Sequence, residues 1–115
     1  VGNEKFGSPT YTHDFARNVK LLLETNYWGL YNLVCGGITS RLEVAQEMLR
    51  LLNLQESVKI VEVSSDYFKK EYFAERPPSE RLINRRLDLR KLNSMRHWRI
   101  ALQEYLESYY KGYVQ

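Results

Sequence analysis

Apolar residues fall at helical spacing in three stretches of this chain and at strand-like density in two. Phe15, Ala16, Val19, Leu22 and Leu23 recur on one face of a 3.6-residue period, which predicts an amphipathic helix over 13–25, ended by Thr25-Asn26. Ala45, Met48, Leu49 and Leu52 form a second stripe that ends near Asn53. Ser40 stands three residues before Glu43 at its start, the spacing of a reciprocal capping box. Trp98, Ala101, Leu102, Tyr105, Leu106 and Tyr109 follow the cleanest helical pattern, predicting a last helix from Trp98 to Tyr109. Between these stripes, Trp28 to Val34 is rich in β-forming residues and apolar on both faces apart from Asn32, as a buried parallel strand is. Val58 to Val63 reads as the clearest strand, and Gly36-Gly37 breaks the chain after the first one.

Strand, helix and strand in that order predict a small parallel βαβ unit with a right-handed crossover, flanked by helices. The fold class expected is therefore an α+β fragment. Smaller elements follow from local signals: a short helical turn capped by Ser64-Ser65-Asp66 and running through Phe68, an irregular extended piece over 75–79 imposed by Pro77-Pro78, a short edge strand at 81–84, and a helical turn over 88–92. Ahead of the first helix, Pro9 fixes its own φ and pushes Ser8 into an extended shape. Gly7 is expected to allow an approach that a side chain would block, Thr10 and Thr12 are candidate helix caps, and Asp14 falls in the first turn, where its charge suits the helix dipole.

Composition narrows the class without naming a function. The 115 residues support one domain, and 43% hydrophobic with 27% charged content is ordinary for a folded protein. No apolar run approaches the roughly 20 residues of a membrane helix, so no membrane partner is expected. A first residue of Val1 suggests an excised or trimmed piece of a longer protein. Cys35 is the single cysteine, which excludes an internal disulfide and suits a reducing cytoplasm.

Net charge is +3 but uneven: Arg76, Arg81, Arg85, Arg86, Arg90, Lys91, Arg96 and Arg99 face only Glu80 and Asp88 between positions 76 and 99. Either an anion belongs near this segment or its charges are spent on surface salt bridges. No recognised nucleic-acid motif accompanies it, so nucleic acid is not an expected partner.

Candidate chemistry is sparse. Gly36-Gly37 sits between a strand and a helix but lacks both the G-x-G-x-x-G and the Gly-Lys-Ser/Thr spacing of a phosphate cradle. His13, His97 and Cys35 are too few and too scattered for zinc. Cys35 reads as a buried thiol, and Glu43/Glu47 and Glu104/Glu107 as solvated helix positions. Tyr105 and Tyr109 belong to the stripe of the last helix, whereas Tyr11, Tyr67, Tyr72 and Phe73 are freer to border a pocket.

Several segments match one family in order. Gly7-Ser8-Pro9-Thr10-Tyr11-Thr12 with Asp14-Phe15-Ala16 resembles the motif that opens the C-terminal part of dTDP-4-dehydrorhamnose reductases and their relatives. Gly29-Leu30-Tyr31-Asn32-Leu33, the Gly-Gly-x-Thr-Ser turn and Glu43-Val44-Ala45 resemble the strand, loop and helix that follow. Arg76-Pro77-Pro78-Ser79, with Leu82 and Asn84, is similar to the family's Arg-Pro-x-x-Ser motif. Met95, Trp98, Ala101-Leu102 and Tyr105-Leu106 match its closing helix.

The resemblance implies an extended short-chain dehydrogenase/reductase, in which a Rossmann domain binds NADP or NAD and a C-terminal lobe closes over a nucleotide-linked sugar. Residues 1–115 would be that lobe, with the Rossmann domain absent from this chain. No Gly-x-x-Gly-x-x-Gly occurs and no tyrosine is followed by lysine four positions on, so the lobe alone carries no catalytic residue and binds no cofactor. The resemblance places substrate contacts at Ser8, Thr10, Arg76 and Ser79, with the hydroxyls suited to sugar or phosphate and Arg76 either to a diphosphate or, equally, to a salt bridge that pins the Pro-Pro turn. An epimerase or dehydratase of the same superfamily, or a non-catalytic regulatory or interaction module, are the alternatives. The parent's partners would be the nucleotide sugar and the missing domain, and the surface left bare is expected to drive homo-oligomer formation.

Overall fold

The structure, a computed structural model, describes residues 5–64 and 77–110. Its elements in chain order are β1 (Phe6–Gly7), α1 (Thr12–Leu23), β2 (Thr39–Ser40), α2 (Arg41–Leu52), α3 (Arg85–Leu89) and α4 (Trp98–Tyr109). Among the described residues this is a mixed α/β arrangement of four helices and one two-stranded antiparallel sheet, with Phe6 opposite Ser40 and Gly7 opposite Thr39. The three long helices lie where the apolar periodicity put them. Ser40 Oγ accepts from Glu43 N–H at 3.3 Å, the expected half of the capping box. Asn53 closes α2 in the left-handed region at φ 56°, and Leu54 N–H reaches back to Leu49 O at 2.8 Å.

The strands require correction. Neither Trp28–Val34 nor Val58–Glu62 is a strand, and the parallel βαβ unit expected between Trp28 and Val63 does not form among the described residues. A strand exists only by pairing, and an apolar run can satisfy its backbone another way. Here Asn84, whose side chain is buried, donates to Val34 O at 2.7 Å and accepts from Val34 N–H at 3.0 Å. Arg86 donates to Leu30 O at 3.0 Å, and Asn32 donates to Ile83 O at 3.3 Å. Residues 81–84 likewise form no edge strand, and the helical turn placed at 88–92 is α3, three residues earlier. Beyond Ser64, the turn expected through Phe68 lies outside the described residues, as do Tyr67, Tyr72 and Phe73.

α1 buries polar residues on its inner face. Its buried side chains are Asp14 and Asn18, both 0% exposed, while Phe15 is 44% and Leu23 74% exposed. Asn18 ties α1 to the loop before α4, donating to Leu92 O at 3.1 Å and accepting from Ser94 N–H at 2.8 Å. Asp14 receives Arg96 at 2.7 Å and Arg17 at 3.2 Å. Arg96 also reaches Glu104 of α4 at 2.8 Å. The apolar cluster under this lattice is Cys35, Trp98 and Ala101, with Tyr11, Val44, Met95 and Leu102 packed against it, and Leu87 and Leu106 are buried as well. α2 joins α4 through Arg99, which pairs with Glu43 and, at 2.7 Å, with the buried Glu47. Among the described residues no helix is long and apolar enough to cross a membrane.

Candidate functional site

The loop after β1 is fastened at three points. Ser8 Oγ donates to Gly37 O, Thr10 Oγ1 donates to Ser8 O at 3.4 Å, and Cys35 N–H donates to Thr10 Oγ1 at 3.3 Å. Thr10 and Thr12 are not caps: the residue before α1 is Tyr11, and no side chain closes that helix end. Thr10 is instead used to bind the loop to the Cys35–Gly37 turn. That turn is itself held against α4, with Gly36 N–H on Arg96 O at 2.9 Å and Trp98 N–H on Gly36 O at 3.0 Å. Gly37 takes φ +88°, and a Cβ there would collide with the His97 ring and come within 2.9 Å of Trp98 Cδ1. The space beside this diglycine is therefore filled by His97 and Trp98, which fits a packed turn and not a phosphate cradle. Gly7 needs no such freedom, since a Cβ on it would meet only Glu80 O at 3.9 Å, an ordinary contact.

The second candidate segment lies directly beside the first. Phe6 N–H donates to Pro78 O at 2.9 Å and Glu80 N–H to Phe6 O at 2.8 Å, so Ser79 runs parallel to β1 on the side away from β2. β1 is thus the middle of a three-part patch that joins the Ser8–Thr10 loop, the start of α2 and the Pro77–Glu80 piece. Ser79 Oγ accepts from Arg81 Nε at 2.7 Å, a partner the motif did not disclose. Of the four sequence-predicted contacts, Ser8, Thr10 and Ser79 are brought to this patch, and Arg76 lies outside the described residues.

Behind the loop is a groove of about 310 Å³ between Pro9–His13 and α4, walled by Trp98, Ala101, Leu102, Tyr105 and Tyr109. Tyr11 borders it, as its freedom in sequence suggested, stacked on His13 at 4.7 Å and edge-on to Tyr105 at 5.9 Å. His13 Nε2 lies 3.0 Å from Tyr109 Oη. Asp14 sits beneath, 3.7 Å from Cys35 Sγ. Burial, reinforced by the Asp14 carboxylate, pushes the Cys35 thiol up from its ordinary value against weaker opposing effects, so it is a packed and protonated group. Among the described residues no cluster of His, Cys, Asp and Glu offers three ligands to a metal.

Sequence comparison matches residues 1–111 to the RmlD substrate binding domain. The chain belongs to that family. It is 33% identical over 107 residues to the spore coat polysaccharide biosynthesis protein SpsK of Bacillus subtilis, covering 93% of this chain and 36% of that protein. Among solved structures, the dTDP-4-dehydrorhamnose reductase of Clostridium acetobutylicum superposes with a TM-score of 0.85 at 29% identity, over 94% of this chain and 38% of that one. The dTDP-4-dehydrorhamnose reductase of Bacillus anthracis, solved in complex with NADP, gives 0.83 at 26% identity, over 95% and 37%. An RmlD substrate binding domain of this size spans little more than a third of these relatives. The chain lacks the glycine fingerprint of a dinucleotide site, and its diglycine turn is filled by side chains.

Proposed function

We propose that this RmlD substrate binding domain is the C-terminal lobe of a dTDP-4-dehydrorhamnose reductase-like oxidoreductase, whose parent reduces a keto group of a nucleotide-linked deoxysugar with NADPH or NADH in the cytoplasm. The observation that carries the reading is the backbone pairing of Phe6 with Pro78 and Glu80, which sets Ser79 alongside the Ser8–Thr10 loop. Those are the two motif segments a nucleotide sugar would have to meet together. Ser8, Thr10 and Ser79 would offer hydroxyl oxygens to the sugar or diphosphate, and Arg76 its guanidinium fork. The Thr10–Cys35 and Ser8–Gly37 bonds support a rigid loop, and rigidity serves orientation and water exclusion.

The outward apolar side of α1, together with Trp28 and Leu30, supports a dinucleotide-binding domain as the part that covers this lobe. The stretches at 28–34 and 58–63 would take up parallel strand pairing against that domain's sheet. In the full-length enzyme, Arg76→Gln and Ser79→Ala are expected to raise KM for the keto sugar about tenfold each, with NADPH affinity unchanged. Unaltered KM in both variants would remove the substrate role.

A further inference from the structure

The basic segment divides once its contacts are known. Arg96 and Arg99 are consumed by Asp14, Glu104, Glu43 and Glu47, and Arg81 is occupied by Ser79. Arg85, Arg86, Arg90 and Lys91 remain, with Asp88 the only acid among them, and among the described residues none of the four pairs with a carboxylate. Asp88 is engaged by Asn93 Nδ2 at 2.7 Å.

Two of these cations converge. Arg86 and Arg90 are one helical turn apart, with Arg90 N–H on Arg86 O at 3.2 Å. Their guanidinium carbons lie 5.8 Å and 5.9 Å from the centre of the same ring, Tyr31, and Arg90 is also 4.5 Å from the centre of Tyr27. Tyr31 Oη donates to the Tyr27 backbone O at 2.7 Å, which fixes the Tyr31 ring against the Tyr27 backbone, and Arg90 bridges the two rings to complete a shelf. Like charges at this spacing repel, and stacking on the ring faces restrains the guanidiniums; Arg86 Nη1 is spent on Leu30 O at 3.0 Å, which leaves its other N–H groups and those of Arg90 for a ligand. A pre-organised pair of forks without a counter-charge is matched by an anion with several oxygens. Arg85 and Lys91 adjoin the pair in sequence and add to its positive charge, so one carboxylate would neutralise too little.

We propose that the corner formed by α3 and the Tyr27–Tyr31 shelf binds a multiply charged phosphate anion of the diphosphate class through Arg86 and Arg90. This goes beyond the nucleotide-sugar reading and does not rest on it, since the Ser8–Ser79 patch shares no residue with the corner. The probe is inorganic diphosphate, titrated into the isotope-labelled 115-residue chain while the arginine Nε–H and tyrosine ring signals are followed by NMR. Saturable shifts confined to Arg86, Arg90, Tyr27 and Tyr31 are expected. Arg90→Gln should weaken binding about tenfold, and Arg90→Lys, which keeps the charge and loses the fork, by an intermediate factor. Both should leave the circular dichroism of the chain unchanged. Arg76→Gln should leave the titration untouched, which separates this site from the proposed substrate site. Shifts that never saturate, or that survive Arg90→Gln, would overturn the proposal. So would tighter binding of an oligonucleotide or of phosphatidylglycerol vesicles than of diphosphate, because the corner would then be a macromolecular surface.

Discussion

The two sides of α1 obey opposite rules. Toward the Cys35 turn and α4 it presents Asp14 and Asn18, fully buried and fully bonded. Away from them it presents Phe15 and Leu23 to solvent, and the chain that follows adds Trp28 at 82% and Leu30 at 85% exposure. On the inner side, irregular segments are held by side chains that supply the hydrogen bonds a sheet would otherwise give. On the outer side, apolar surface is left without cover among the described residues. Under the function proposed above, this parting of burial and hydrophobicity is what a helix serving as a joint between two bodies would show.

The inner side can be broken most severely at Arg96. Arg96→Met should destabilise the chain by about 3 kcal/mol, because Asp14 is then buried with only Arg17 to answer it. Urea unfolding measures this, and a loss below about 1 kcal/mol would mean that the buried carboxylate is not what holds α1 in place. Asn84→Ala should cost about 2 kcal/mol by orphaning Val34 N–H and C=O, and Asn18→Ala a similar amount through Leu92 O and Ser94 N–H.

Acid should erode the same side more gently. Arg96 holds the Glu104 carboxyl below the usual carboxylate range, and Arg50, then Arg99, does the same for Glu47 against its burial. A carboxyl that binds its proton less readily when folded contributes stability in full above its unfolded value of about 4.3, and that contribution is lost as pH falls through the depressed folded values. Melting temperature should therefore be level from pH 7 to 5 and fall below 4, less steeply in Glu104→Gln.

The outer side should respond least. Leu23→Ser and Trp28→Ser should change stability by no more than about 0.5 kcal/mol while reducing self-association in analytical ultracentrifugation. A loss near 2 kcal/mol in either would show that this face is already packed. A chain that stays monomeric at high concentration before any substitution would deny that it is a bare interface.

The helices were legible because their signals are local. The α2 cap at Ser40 and the period from Trp98 to Tyr109 need no distant partner to be recognised. The stretches 28–34 and 58–63 were misread because strand pairing depends on residues far away in sequence, and Asn84 offers the first of them a bond pattern that composition does not reveal. The apolar stripe of α1 carries no sign of which way it faces. Asp14 and Asn18, four residues apart, were the available sign of a second face. At the candidate site the loop and the Pro77–Ser79 piece were singled out correctly as polar and irregular. Their attachment through Phe6 was not readable, since backbone pairing leaves no residue signature.

The clasp of Asn84 on Val34 carries a geometric consequence. Leu30 O is taken by Arg86, and both Val34 N–H and C=O by Asn84. A guest strand could not pair through those groups, so an apolar run that would otherwise template open-ended stacking is blunted by side chains from later in the chain.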